Sequence, residues 1–350
     1  MVYSASAILA GEKFHSSIFF MKKQILWVGI SLLLIFVLTK IDYHRYERYA
    51  KVFLLFSLLL LVVVLFSPPT NGATRWIKVG PMVFQPSELF KYTLVLFMAH
   101  SLSQRKNKIK NLKYVLLPYV VILGIVFFLI MKEPHLGAIL SISMIFSIML
   151  LVAGTNVKHI LLFSASLVVA ISLVVFVFGY KIERVKDYKK SILHPLEGSY
   201  QTKQSVLGLG SGGVLGTGLG EGKQKLFFLP EPHTDFVFST IGEEGGFLSC
   251  AAIMISFLIL ALRGLSIATR APDDFGFLLA LGISFSIFVC ALLSSGMVVG
   301  LLPTVGIPMP FLSYGGSSLI FSSMGMGVLL NISRQTRFVP SPRIPIKMGA

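Results

Sequence analysis

Charged residues are few in this chain of 350: Asp, Glu, Lys and Arg make up 13% of it, against 55% hydrophobic residues, and the mean hydropathy is +0.81. So little charge excludes a water-soluble globular protein, in which about a quarter of the residues are charged. Apolar runs of about 16 to 25 residues recur instead, close to the length that crosses a hydrocarbon core of roughly 30 Å. Because lipid offers backbone groups no partner, each run is expected to be a helix, and the fold class is an all-α polytopic membrane protein. The sequence predicts nine spans, at about 24–40, 52–67, 86–103, 114–131, 137–153, 159–180, 236–262, 275–298 and 312–332.

Acidic residues are scarcer than basic ones, 15 against 31, which gives a net charge of +16. The basic residues gather in alternate short loops, as the positive-inside rule expects of cytoplasmic loops, and this favours a membrane protein over a nucleic-acid-binding one. These loops lie at 40–51, 105–113, 263–270 and 334–347. The loops at 68–85 and 181–235 are then extracytoplasmic; the longer one is itself basic, so the orientation depends on the short loops. The predicted domains are a membrane domain, 1–335, and a cytoplasmic tail, 336–350.

Cysteine is nearly absent, and the two present, Cys250 and Cys290, both fall within predicted spans. This pattern indicates neither a disulfide framework nor a zinc site, and favours small apolar packing residues. His233 has no second histidine or carboxylate at metal-ligand spacing, so we interpret it as a polar loop residue. The sequence predicts no metal site.

The two extracytoplasmic loops hold polar residues that could carry chemistry. The shorter contains Asn-Gly-Ala-Thr-Arg-Trp-Ile-Lys-Val-Gly, and the loop at 181–235 is long for a compact domain, as functional loops often are. Eight glycines between positions 208 and 222 resemble a phosphate-binding loop, whose backbone amides approach an anion closely. We reject a nucleotide site, because no strand–turn–helix context surrounds the glycines. A flexible loop over a cavity fits them equally well.

The segment Gln85-Pro-Ser-Glu88 begins the third span, where a proline suits the first helical turn. Glu88 and Lys91 are three residues apart and therefore share one helix face. Ionisable residues within membrane helices usually face a bundle interior or a cavity. A structural ion pair and a direct substrate contact both fit this pattern.

Asp235 stands where the long polar loop gives way to an apolar helix, with Lys223 and Lys225 shortly before it. An acid at this boundary suits chemistry on a substrate that is half dissolved in a membrane, and Ser239 and Glu243 fall on roughly the same helix face. An aspartate before an apolar run is also a common helix cap. The residues alone leave both interpretations open.

The segment from Pro303 to Ser318 contains three prolines and three glycines. It predicts irregular backbone that is buried in protein or lines a cavity. Unwound segments of this kind occur at the substrate sites of transporters. The residues alone therefore support a membrane enzyme and a lipid transporter equally well.

Six motifs together resemble the SEDS family of bacterial membrane glycosyltransferases, which includes FtsW, RodA and their sporulation relatives. In chain order they are Gly72-Ala-Thr-Arg-Trp-Ile, Gln85-Pro-Ser-Glu-Leu-Phe-Lys91, Tyr200-Gln-Thr-Lys-Gln-Ser205, Leu229-Pro-Glu-Pro-His-Thr-Asp-Phe236, Gly242-Glu-Glu, and Gly300-Leu-Leu-Pro through Ser318. They follow the family order and span nearly the whole chain. The Tyr-Gln…Gln-Ser pairing and Gln224-Lys-Leu-Phe-Phe-Leu-Pro-Glu-Pro resemble the FtsW (division) branch more than the RodA (elongation) branch.

The resemblance implies a SEDS-type helical bundle of ten spans, of which this chain has nine. Met1-Val-Tyr-Ser-Ala-Ser resembles the segment just after the family's first helix, so we expect that the chain starts internally, through a mis-assigned start codon or truncation. An upstream frame encoding about 20 apolar residues would support this, and a stop codon directly before Met1 would refute it. Two departures stand out. Thr74 replaces a first arginine, and His135 replaces an aspartate, so His135 is given no catalytic role.

The function implied by the resemblance is polymerisation of lipid II into β-1,4-linked glycan strands, with inversion and release of undecaprenyl diphosphate, during septal wall synthesis. Asp235 is the expected catalytic base for the acceptor hydroxyl. Cationic, aromatic and polar residues of the same segments are expected to bind substrate: Arg75, Trp76, Lys78, Glu88, Lys91, Gln204, Lys223, Lys225, Glu243, Ser313 and Tyr314.

The sequence requires no cofactor, and a divalent cation, Mg²⁺ or Mn²⁺, could accompany the diphosphate. The expected partners are lipid II, a class B penicillin-binding protein and other division proteins, with no nucleic acid. The expected location is the bacterial plasma (inner) membrane at the septum, with several membrane crossings and an extracytoplasmic catalytic face. The alternatives are a lipid II flippase or other transporter, the same polymerase acting in elongation, and a scaffold that only recruits partners.

Overall fold

The computed structural model describes residues 2–69, 73–80, 82–105, 112–176, 187–191, 199–225 and 233–336. Its helices are α1 (Val2–Phe14), α2 (Phe19–Lys40), α3 (His44–Arg48), α4 (Ala50–Val64), α5 (Pro86–Gln104), α6 (Leu112–Lys132), α7 (Leu136–Val152), α8 (Val157–Phe176), α9 (Tyr200–Gly212), α10 (Val237–Thr269), α11 (Asp274–Val298) and α12 (Gly316–Thr336). A hairpin of β1 (Ile77–Val79) and β2 (Met82–Phe84) precedes α5. Apart from Thr336, the predicted tail at 336–350 lies outside the described residues.

A helix occupies each of the nine apolar stretches that the sequence predicts to span the membrane. Among the described residues, four helices are long and apolar enough to cross a bilayer, namely α2, α10, α11 and α12. The apolar stretches found in α4, α6, α7 and α8 are shorter, at Ala50–Val64, Pro118–Lys132, Leu136–Val152 and Val157–Ser166. The prediction of a helical membrane protein is therefore confirmed, while the number of spans stays a prediction.

Apolar periodicity does not predict α1, α3, α9 or the hairpin. Helix α9 lies inside the long loop, and Ser199 caps it by accepting a hydrogen bond from the Thr202 N–H at 3.3 Å. The hairpin corrects the all-α prediction by two strands of three residues each, joined at Gly80, whose φ is 59°. Strands this short show no readable alternation.

The chain forms two compact units. One consists of Met1–Gly29, Val169–Ile259 and Cys290–Leu319, and it contains Asp235 with the glycine-rich part of the long loop. The other consists of Ile30–Val168, Leu260–Val289 and Ile320–Ala350, and it contains the hairpin and α5. The predicted site residues are therefore described below in two groups.

Helices α4 and α5 pack together in the second unit. The hydroxyl groups of Ser57 and Thr93 lie 2.7 Å apart across this contact. Phe90 and Met98 on α5 are completely buried. Asn331 joins two further segments, because its side chain accepts a hydrogen bond from the Tyr43 N–H at 3.0 Å and donates one to a carbonyl of α2. This packing fixes the helix that carries Glu88 and Lys91.

Candidate functional site

Asp235 lies in the turn before α10, two residues ahead of Val237, and its side chain is half-buried. Hydrogen bonds tie this turn to the segment between α11 and α12. The Tyr314 N–H donates to the His233 carbonyl at 2.8 Å, and the Ser313 hydroxyl donates to the Thr234 carbonyl at 2.6 Å. The backbone before Asp235 is thereby held in place, and Asp235 itself precedes the first residue of α10.

The segment between α11 and α12 is irregular, as its prolines and glycines predict. Its residues run without helix from Val299 to Gly315, and Ile307 and Met309 within it are almost completely buried. The Met309 N–H donates to the Ser313 hydroxyl at 2.8 Å, which orients that hydroxyl towards the Asp235 turn. Burial in protein satisfies the condition under which irregular backbone is tolerated at membrane depth.

His233 packs among aromatic rings. Its ring centroid lies 4.8 Å from that of Phe20 and 5.6 Å from that of Tyr314, and the residue is 5% exposed. The rings of Phe20 and Tyr314 also meet edge to face, with their centroids 5.1 Å apart. The structure thus places His233, interpreted from the sequence as a polar loop residue, in a buried aromatic cluster.

Helix α9 supports the first turn of α10. The Ser239 hydroxyl donates to the Ser205 carbonyl at 2.9 Å, and the Ser205 hydroxyl donates to the Val298 carbonyl at 2.8 Å. Both serines are completely or almost completely buried. Gln204, predicted to bind substrate, is half-buried on the same helix. Ser239 thus has a packing role, which its position four residues after Asp235 does not reveal.

The glycine-rich part of the long loop docks on a break in α10. Gly246 interrupts that helix with φ 68° and ψ −172°, which leaves backbone groups on either side without helical partners. Four backbone hydrogen bonds between the loop and α10 satisfy these groups. With the N–H donor named first, they are Thr217 to Glu243 (2.9 Å), Gly218 to Glu244 (3.1 Å), Phe247 to Gly213 (2.9 Å) and Leu248 to Val214 (3.2 Å). A Cβ at Gly216 would lie 2.2 Å from the Glu244 carbonyl oxygen, so only glycine permits this approach. The structure thus gives Gly216, and Gly212 before it, a packing role against α10.

Glu243 and Glu244 hold the end of this loop through their carboxylates. Glu243 accepts hydrogen bonds from the N–H groups of Lys223 (2.7 Å) and Gln224 (3.2 Å). The Lys225 ammonium group bonds Glu244 at 2.6 Å, and also the Ser4 hydroxyl and the Gly220 carbonyl. Lys225 is 7% exposed and Glu243 is 2% exposed, whereas Lys223 is exposed. This geometry favours an internal role for Lys225 and Glu243, and their predicted substrate contact stays a prediction.

In the second unit, Glu88 and Lys91 form a buried ion pair. The ammonium nitrogen of Lys91 lies 2.8 Å from Glu88 Oε1, and both side chains are about one-twentieth exposed or less. Pro86 is the first residue of α5, as the sequence predicts, and Gln85 before it is extended, with φ −112° and ψ 108°. The structure therefore agrees with a structural ion pair, one of the two interpretations left open, and the substrate contact stays a prediction.

Arg75 lies between the hairpin and the turn that joins α6 to α7. Its Nε donates to the Glu133 carbonyl at 3.1 Å and its Nη2 to the Pro134 carbonyl. Trp76 is half-buried and Lys78 is exposed on β1. Of the positively charged loop residues expected to meet substrate, Arg75 is thus hydrogen-bonded to the protein, whereas Lys78 is exposed.

Glu133 is a buried acid in this turn that motif reasoning did not single out as a site residue. Its exposure is 0%, and within the described residues neither carboxyl oxygen has a hydrogen-bond partner. Burial outweighs the attraction of Arg75 and raises the pKa of Glu133 to about 8. Its sequence signal is an acid directly after the apolar run of α6. His135 is the residue directly before α7, with its Nδ1 3.3 Å from Gln85 Nε2.

Among the residues that the structure describes, no group of three or more His, Cys, Asp or Glu side chains is arranged to hold a metal ion. A divalent cation bound with the diphosphate would need oxygen ligands from phosphate and water to complete its shell. That cation stays a prediction.

Residues 1–338 match the family of cell cycle proteins that comprises FtsW, RodA and SpoVE. The chain is 42% identical over 340 residues to the probable peptidoglycan glycosyltransferase FtsW of Geobacter sp. (strain M18), which covers 96% of this chain and 93% of that protein. It is 38% identical over 341 residues to stage V sporulation protein E of Bacillus subtilis (strain 168), with 97% and 93% covered.

Solved structures are similar over the same extent. One similar chain comes from a structure described as "Structural coordination of polymerization and crosslinking by a peptidoglycan synthase complex". It has a TM-score of 0.77 and 26% identity, with 97% of this chain and 96% of that chain covered. The rod shape determining protein RodA of Thermus thermophilus has a TM-score of 0.69 and 26% identity, with 97% and 95% covered. The chain therefore belongs to the FtsW/RodA/SpoVE family of cell cycle proteins, the SEDS family that its motifs resemble.

Proposed function

We propose that this protein is a peptidoglycan glycosyltransferase that polymerises lipid II into β-1,4-linked glycan strands and releases undecaprenyl diphosphate. Family membership supports this, as do relatives named probable peptidoglycan glycosyltransferase FtsW at 40–42% identity over nearly the full chain. The observation that carries the proposal is the Asp235 turn. It holds a half-buried carboxylate next to two hydrogen-bonded residues, at the end of a long polar loop.

In the proposed reaction, Asp235 is the general base. A sugar hydroxyl of one substrate attacks the anomeric carbon of the next sugar, and its proton passes to the Asp235 carboxylate. The bond between that carbon and the diphosphate oxygen breaks, and the diphosphate leaves with the bonding electrons. A single displacement of this kind inverts the anomeric centre. Because diphosphate is already a good leaving group, the second carboxyl group that glycoside hydrolases use as an acid is not needed.

Positive charge would stabilise the departing diphosphate. Arg75 suits this role because a guanidinium group can make two parallel hydrogen bonds to a phosphate, while the exposed Lys78 and Lys223 can approach it as point charges. The half-buried Trp76, Gln204 and Tyr314 would contact the rest of the substrate. The more buried members of the predicted set, whose contact with substrate stays a prediction, are Glu88 and Lys91 in one unit and Lys225, Glu243 and Ser313 in the other.

The proposed setting is the bacterial plasma membrane at the division septum, with the catalytic face extracytoplasmic. Relatives named FtsW favour division over elongation. A class B penicillin-binding protein is the proposed partner, supported by similarity to a chain from a peptidoglycan synthase complex in which polymerisation and crosslinking are coordinated. Other division proteins would activate the pair.

The test is polymer formation from labelled lipid II by the purified chain with a cognate class B penicillin-binding protein. Asp235→Asn should lower the rate at least about 100-fold while the protein remains folded, because it removes the base and keeps the shape. Asp187→Asn, which removes a carboxylate from the same loop, is the matched control and should retain activity. Near-normal synthesis by Asp235→Asn would exclude Asp235 from the mechanism. Transport of lipid II across vesicles without any polymer would favour the transporter instead.

A further inference from the structure

The turn between α6 and α7 combines a buried acid with an anchored arginine. The Arg75 guanidinium group bonds the main-chain carbonyls of Glu133 and Pro134. The Glu133 carboxyl group is completely buried and, within the described part of the chain, has no hydrogen-bond donor on either oxygen. Arg75 therefore donates hydrogen bonds to the main chain at Glu133 and Pro134, and the Glu133 carboxyl group accepts none from Arg75.

A carboxylate in this position would be costly. Taken out of water without a donor in exchange, an ionised carboxyl group loses its hydration and gains little, so it takes up a proton instead. By contrast, the buried carboxylates of Glu88 and Glu244 each have a lysine ammonium group within hydrogen-bond distance. The absence of such a partner, among the residues described, distinguishes Glu133 from them.

Other charged and titratable groups lie on the elements around Glu133. Glu88 and Lys91 on α5 pair with each other, His135 has its ring near Gln85, and Lys132 lies over the ring of a phenylalanine in α6. Arg75 is the charge that favours ionisation of Glu133, and burial outweighs it, so the pKa of Glu133 rises to about 8.

We propose that Glu133 stays protonated in the working protein, so that its turn holds Arg75 by main-chain carbonyls without adding a negative charge beside the guanidinium group. Glu133 is then a positioning residue that acts through Arg75 on the diphosphate of the substrate, and this part rests on the proposed function. When Glu133 loses its proton to water, the new carboxylate opposes the Arg75 charge and weakens attraction of the anionic substrate. Polymerisation should therefore lose substrate affinity at alkaline pH.

The first experiment measures KM and kcat for lipid II polymerisation by the reconstituted chain with its partner between pH 7 and pH 9. Relative to Glu133→Gln, which mimics the neutral acid, the wild-type KM should rise roughly fivefold to tenfold across this range with little change in kcat, the size expected for one added charge in partly solvated surroundings. Glu221→Gln, which removes an exposed carboxyl group, should follow the wild type. In an Arg75→Ala background, adding Glu133→Gln should no longer change how KM depends on pH.

The second experiment does not depend on activity. Infrared difference spectra of the chain in nanodiscs, recorded while the pH rises from 6 to 9, should show loss of a protonated carboxyl C=O band that Glu133→Gln lacks and Glu221→Gln keeps. If that band is absent from the wild type at pH 7, Glu133 is ionised and the proposal is wrong, whatever the protein catalyses. If the band is present but the KM of the wild type and of Glu133→Gln change in parallel, Glu133 does not act through Arg75. If no variant forms polymer at all while the band titrates as expected, the proposed function fails and the protonation of Glu133 stands.

Discussion

Two buried lysine–glutamate pairs in this protein differ in what they join. Glu88 and Lys91 lie three residues apart on α5, with their charged atoms at 2.8 Å, so one helix is enough to form the pair. Lys225 and Glu244 are 19 residues apart at 2.6 Å, and the same ammonium group also bonds Ser4 and a loop carbonyl. The first pair adds charge to a helix that forms anyway, whereas the second closes a loop onto α10 and ties α1 to it.

The pairs also differ in what remains if one member is lost. A buried pair contributes little net stability relative to apolar residues, but removal of one partner leaves an uncompensated charge, at a cost of about 3–5 kcal/mol. The Lys91 ammonium group pairs with Glu88 within one helix, so loss of Glu88 separates no two segments of the chain. The Lys225 ammonium group bonds oxygen atoms of α1, the loop and α10, so loss of Glu244 loosens a contact between these segments.

The largest effect is therefore expected for Glu244→Ala, which should lower the free energy of unfolding by about 3–5 kcal/mol. The measurement is denaturant-induced unfolding of the purified chain in detergent micelles. The double variant Lys225→Met/Glu244→Gln removes both charges and should recover most of the loss. Equal stability of Glu244→Ala and the wild type would show that the pair does not fasten the loop.

A smaller effect is expected at the local pair. Glu88→Ala should lower the free energy of unfolding by about 2–3 kcal/mol, because the broken pair lies within one helix and holds no second segment in place. The exchange Glu88→Lys/Lys91→Glu keeps an ion pair on the same helix face and should restore stability. The exchanged variant also separates the two interpretations of this pair in a lipid II polymerisation assay. Activity would return if the role is structural, and would stay lost if either residue contacts substrate in its own position.

The same contrast explains which features the sequence could predict. The Glu88–Lys91 pair and the irregular backbone from Pro303 onward follow from local rules, namely helical spacing and the effect of proline and glycine on backbone. The apolar runs likewise predict where helices lie. The partner of Lys225 could not be predicted, because Glu244 and Ser4 reach it only once the chain folds, and the same holds for the docking of the glycine-rich loop at Gly246.

Glu133 and Asp235 differ in how far the sequence could identify them as site residues. The motif around Asp235 resembles a family pattern, so that residue could be singled out before the structure, although its role is still a proposal. Glu133 lies in a stretch that departs from that pattern at His135, and its burial without a described donor depends on how α6, α7 and the Arg75 loop pack. The spacing of residues along the chain does not show whether a buried carboxyl group has a hydrogen-bond donor in the folded protein.

The smallest effect is expected for two glycines of α9, of which one contacts α10 and the other does not. A Cβ at Gly212 would lie 2.0 Å from the Gly242 carbonyl oxygen, whereas at Gly210 no described atom lies within 4 Å. Gly212→Ala should therefore lower the free energy of unfolding by about 1–3 kcal/mol through overpacking. Gly210→Ala, on the same helix, should leave it unchanged or raise it by about 0.5–1 kcal/mol, because alanine restricts the unfolded chain. Thermal unfolding of the two variants side by side is the measurement, and equal shifts would mean that α9 is not packed against α10 as described.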